Sequence, residues 1–134
     1  MPTLNLAIAA DSDDAFEFSN GTVQLDVGVT DLDSANEYMG FRFDGVTIPP
    51  GSTIDSAVMQ VMPHTTAADE PLLTIFGQAH DDAPTFEAGA TGAFTISTRS
   101  RTTASVTWDN ADLGANGSTF FATPDLKTVV QEVI

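Results

Sequence analysis

Residues 38–62 read YMGFRFDGVTIPPGSTIDSAVMQVM, and the fold class turns on how this stretch alternates. In its first half Met39, Phe41 and Phe43 alternate with Tyr38, Gly40, Arg42 and Asp44. In its second half Ala57, Met59 and Val61 alternate with Ser56, Val58 and Gln60. A period of two places one set on each face of a sheet, so an apolar face must be covered by another layer. Pro49, Pro50 and Gly51 interrupt the ladder, because proline lacks a donor and glycine permits unusual backbone angles. The stretch therefore reads as a hairpin-like pair of strands.

Working outward, Leu4, Leu6 and Ile8 alternate, so residues 3–9 are expected to form a first strand. DSDDAFE (11–17) follows as a carboxylate-rich interruption. Residues 22–30 alternate again, with Val23, Leu25, Val27 and Val29 on one face, before an acidic loop at 30–37. Past the proline-bracketed loop 63–71, residues 72–79 read as a strand with Leu73, Ile75, Gly77 and Ala79 on one face. FTISTRS (94–100) reads as a short strand. Residues 101–108 alternate cleanly, with Ala104, Val106 and Trp108 opposite Thr103, Ser105 and Thr107. DNADLGANGS (109–118) is rich in turn residues. The period then changes: Thr123, Pro124 and Asp125 read as N-cap, N1 and N2 of a helix, and Leu126, Val129, Val130 and Val133 share one helical face. Seven or eight short strands and one helix near the end predict an all-β fold, an antiparallel β-sandwich of jelly-roll type, as a single domain over residues 1–134.

The composition narrows the function classes. Nineteen acidic against four basic residues give a net charge of −15 over 134 residues. Such a surface repels phosphate backbones and anionic membranes, so neither nucleic acid nor membrane is an expected partner. It favours cations and basic surfaces, and in its plainest role keeps the chain soluble. Without cysteine, disulfides, thiolate catalysis and cysteine-based zinc sites are excluded. No stretch approaches the roughly 20 apolar residues that span a bilayer. The opening MPTLNLAIAADSDD lacks the basic region and long apolar core of a signal peptide.

Candidate chemistry is sparse. Asp11, Asp13 and Asp14, with Glu17, and Asp31 and Asp33, with Glu37, are spaced so that their oxygens, with loop carbonyls, offer a Ca2+ site. DSDDAFE is not an EF-hand loop, and solvated turn-forming aspartates are the simpler reading. Carboxylate pairs of glycosidase type arise by chance among so many acids. His64 and His80 have no nucleophile elbow to serve, so no enzyme activity is expected. Tyr38 and Phe76 fall on the polar faces of their strands, where exposed rings stack on sugars. Trp108 is a third candidate for that role, although its alternation with Ala104 and Val106 fits a core residue.

Four runs in succession carry a resemblance: MGFRFDGVTIPPGSTIDSAVMQV, LLTIFGQAHDDAPTF, RSRTTASVTW and TPDLKTVVQEVI. Over about residues 10–134 the chain resembles the DNRLRE-type jelly-roll module, carbohydrate-binding-like, of marine bacterial surface proteins and phage structural proteins. The resemblance implies a jelly roll without enzyme activity. Members of that family continue past the helix with a final pair of strands not found in residues 1–134, so either this sequence is part of a longer protein or something else, such as a neighbour's strand, is expected to take their place. The bacterial modules sit within exported chains. A chain without an export signal fits a virion assembled in the host cytoplasm. The expected function is thus a non-enzymatic structural protein of a phage virion, a capsid decoration (cement) or head or tail appendage subunit. Its partners would be the major capsid or other virion proteins and further copies of itself. The alternative is a carbohydrate-binding module of a larger secreted or surface protein, extracellular, with Ca2+ ordering its loops. A purely mechanical adhesin or matrix repeat is a third reading.

Overall fold

The computed structural model describes residues 2–25, 35–63, 72–109 and 118–134. The elements in order are a 3₁₀ turn at Asp11–Asp13, β1 (Asp14–Glu17), β2 (Val23–Leu25), β3 (Tyr38–Phe41), β4 (Gln60–Val61), β5 (Leu72–Gln78), β6 (Arg101–Asp109), β7 (Phe121–Ala122) and α1 (Lys127–Val133). All described sheets are antiparallel and small: β2-β1-β3, β4-β7 and β5-β6. The chain divides into two compact units, one of Met1–Ile48 with Asp82–Arg99, the other of Pro49–Asp81 with Ser100–Ile134.

The first unit is built on β1, which pairs Ala15 with Leu25 and with Gly40, and Glu17 with Val23 and with Tyr38. Its inward face is Ala15, Val23 and Phe86, with Leu25 and Ile96 packed against them. The expected interruption at 11–17 is therefore a central strand. Its apolar Ala15 and Phe16 are buried, and buried Glu17 exchanges water for the amides of Ile96 and Ser97, which its Oε2 accepts at 2.7 and 3.0 Å. Those two bonds also explain why 94–100 is a run of turns rather than a strand. On the reverse face Phe16 meets Phe18 edge-on, centroids 4.7 Å apart.

β3 presents the opposite face to the one its alternation predicts. The ring of Phe86 lies where a Cβ on Gly40 would sit, its Cζ in the way. The bare glycine backbone is thus the seat for the ring, and Phe41 turns outward, 38% exposed. β3 pairs with β1 and β4 with β7, so 38–62 is not a hairpin. Residues 3–9, expected to be a strand, join none of the described sheets, and Leu4 and Leu6 are exposed.

In the second unit β5 and β6 form a long ribbon, from Leu72 opposite Asp109 to Gln78 opposite Arg101, with a register shift between Phe76 and Gln78. Alternation holds: Leu73, Ile75, Val106 and Trp108 face inward, while Leu72, Thr74, Phe76, Ser105 and Thr107 face out. Helix α1 lies on the inward face, and Gly77 permits its close approach. A Cβ there would stand 3.0 Å from Val129 Cγ1 and from Thr102 Cγ2. Leu126 and Val129 are buried and Val130 and Val133 half-buried, which is the helical face read from the sequence. The helix itself starts later than expected, with Leu126 at the N-cap. Thr123 is committed to the sheet instead, its amide and Oγ1 bonded to the Met59 carbonyl and amide.

Candidate interaction surface

The outward side of the second unit carries its exposed apolar groups. Along 56–62 the alternation is as the sequence implies: Ala57, Met59 and Val61 are half-buried, and Ser56, Val58 and Gln60 are exposed. The backbone alternates with the side chains. Ala57 and Met59 direct amide and carbonyl toward 123–126: Ala57 N–H donates to Asp125 Oδ1 and Met59 N–H to Thr123 Oγ1. Their carbonyls accept from Leu126 (2.7 Å) and Thr123 (2.9 Å). Val58, Gln60 and Met62 therefore direct their backbone groups to the other side, where no described strand pairs with them. The exposed side chains Val58 and Met62 lie on that edge, and Phe120 precedes β7, 61% exposed. On the β5–β6 ribbon Leu72 and Phe76 stand out from a row of hydroxyls, Thr74, Ser105 and Thr107. The Arg101 guanidinium lies over the Phe76 ring, 5.0 Å from its centroid.

This surface is held by carboxylates that accept backbone amides. The bulge opposite Gly77 leaves the adjacent amides of Thr103 and Ala104 without a cross-strand partner. Glu132 of α1 takes both, at 2.7 and 2.8 Å. Asp125 Oδ1 accepts the Ala57 and Lys127 amides, both at 3.0 Å. The bond from Ala57 first, then that from Lys127, holds the Asp125 carboxyl below its ordinary value. Ala104 first, then Thr103, does the same for Glu132. Gln131 bridges the same region, accepting from the Ile54 amide and donating to the Ser52 carbonyl.

Of the candidate sugar-stacking residues, two share the β5–β6 ribbon but not a face of it. Phe76 is exposed, Trp108 is buried on the opposite face of the same ribbon, and Tyr38 is half-buried in the first unit, opposite Glu17. Among the candidate calcium ligands, Asp13 is buried and paired with Arg42, whose Nη1 lies 2.8 Å from Asp13 Oδ1. Arg42 Nε also donates to the Ala83 carbonyl, and the bond to Asp13 raises the Arg42 pKa. Asp11 and Asp14 border a hollow with Ile8, Ala9 and Ala10. Asp31, Asp33 and His64 lie outside the described residues. Among the described residues no group of three or more His, Cys, Asp or Glu is placed to hold a metal ion, and no helix is long and apolar enough to cross a membrane.

Sequence reasoning passed over Gln131 and Glu132, placed Glu17 with the candidate calcium ligands and read Asp125 only as a first-turn residue of the helix. Their patterns are those of ordinary solvated acids and amides, and their partners are backbone amides distant in sequence. No protein-family model, curated protein or solved structure matches the chain.

Proposed function

We propose that the chain is a non-enzymatic structural protein of a phage virion, a decoration or appendage subunit that works by protein–protein contact. Its sheets would complete a jelly roll, and its partners would be the major capsid or other virion proteins and further copies of itself. The observation that carries this reading is that the second unit leaves the large apolar side chains Leu72, Phe76, Val58, Met62 and Phe120 exposed. A covering partner would remove them from water, and small sheets with open edges accept further strands. The resemblance of residues 10–134 to phage structural modules supplies the virion context, with assembly in the host cytoplasm. The acidic surface would face a more basic capsid.

The test is sedimentation with phage particles stripped of their accessory proteins. The wild-type chain is expected to pellet saturably with the particles. Leu72→Asp and Phe120→Asp are expected to stay in the supernatant while keeping the wild-type circular dichroism spectrum. Failure of the wild type to pellet at any concentration refutes the reading.

Phe76 favours a second reading, a carbohydrate-binding module. An exposed ring among Thr74, Ser105 and Thr107, with Arg101 over it, has the elements of a stacking platform for a sugar. Affinity electrophoresis in neutral and anionic polysaccharides would show retardation abolished by Phe76→Ala. Equal mobility of the two proteins in every gel argues against it.

A further inference from the structure

Two segments that no described strand pairs match each other. The first is residues 2–9, outside every described sheet, with Leu4 40% and Leu6 37% exposed and Ile8 half-buried. Its alternation is that of a strand, yet no described strand of its own chain pairs with it. The second is the outer edge of 58–62, whose backbone groups at Val58, Gln60 and Met62 point away from β7, with Val58 and Met62 exposed.

We infer that residues 3–9 of one copy add as a strand to the 58–62 edge of a second copy. The inference rests on the contact-forming function proposed above and names the device. Three arguments carry it. The apolar positions of the segment (4, 6, 8) and the outward positions of the edge (58, 60, 62) are each three alternate residues, so they fall rung against rung. Side chains opposite one another across a ladder share a face, so Leu4, Leu6 and Ile8 would lie beside Val58 and Met62 and cover them. Electrostatics fits as well: residues 2–10 and 56–63 contain no charged side chain in a chain of net charge −15. They are stretches through which two copies meet without opposing carboxylates. Finally, strand addition satisfies backbone donors and acceptors that are otherwise left to water on both segments. If each copy gives its segment to the other, the pair closes with two-fold symmetry.

Leu6 pairs with Gln60 at the central rung whichever way the added strand runs, and this fixes the test. The chain has no cysteine, so Leu6→Cys and Gln60→Cys are made in separate chains, one of them with a size tag. They are mixed at physiological salt and oxidised. A mixed disulfide between the two chains is expected, and light scattering is expected to give twice the chain mass for wild type. Leu6→Asp should weaken self-association by about tenfold or more, the factor one buried leucine carries. Its circular dichroism should be unchanged, because the segment lies outside the sheets. A wild type that stays single at every concentration overturns the inference, and leaves the proposed function to be judged on particle binding. An assembly that forms but ignores Leu6→Asp and gives no mixed disulfide overturns the strand exchange while keeping self-association.

Discussion

Glu17 is the one large side chain among the described residues that is fully buried. Its Oε2 accepts two amides, and its Oε1 has no hydrogen-bond partner. Removing the carboxylate leaves the Ile96 and Ser97 amides without an acceptor in the interior. Glu17→Ala is expected to cost about 2–4 kcal/mol, the desolvation of two orphaned donors, read as a lower urea midpoint at an unchanged slope. Glu17→Gln retains an oxygen for the two amides and should lose less. Gly40 sets a second constraint at this scale. A methyl group there collides with the Phe86 ring, so Gly40→Ala should destabilise by about 1–3 kcal/mol through overpacking. Neither position was legible in the sequence. A glutamate after three aspartates reads as one more solvated acid, and a glycine on a strand reads as a gap in the alternation. Both roles are set by residues about 46 to 80 positions away, Phe86 and the 96–97 turn.

Helix α1 is fastened to the strands by Asp125 and Glu132, whose carboxyls are both held below their ordinary values of 3.8 and 4.5. A depressed folded-state pKa contributes stability above the unfolded-state pKa and loses it as pH falls through the folded one. Acidification from about pH 5 downward should therefore release the helix. The protection of the Ala57, Thr103 and Ala104 amides, taken relative to their intrinsic exchange rates at each pH, should fall in that range. In Asp125→Asn with Glu132→Gln, most of that pH dependence should be absent. An exchange profile identical in wild type and double variant would refute this fastening. The long elements were readable: the 72–78 and 101–109 strands and the apolar face of the helix follow their periods, since local pattern and burial agree there. The short ones were not. β1 was hidden by its carboxylates. The start of the helix was misread because Thr123, a good cap, serves the sheet. The strand expected at 3–9 is not among the described strands, because alternation alone supplies no partner.

At the scale of the whole molecule the −15 charge sets how the chain responds to salt. Raising ionic strength from about 0.01 M to 0.15 M shortens the screening length from about 30 Å to about 8 Å. Self-repulsion falls, so both the melting temperature and any self-association should rise with salt. A melting temperature independent of salt would show that the charges are already balanced locally. This part was fully legible, because net charge needs no fold. The division into two units was not, since it depends on which distant segments meet. The chain crosses between the units three times, so each is made of two separated stretches. A ribosome releases the first stretch of the first unit long before the turn that Glu17 holds. In the second unit Ile54 waits for Gln131, 77 residues later, to accept its amide. No single cut in the gene yields a piece containing one whole unit and nothing of the other. Neither unit can close on its first stretch alone: the first waits for Asp82–Arg99 and the second for Ser100–Ile134, so each can close only after part of the other has been made.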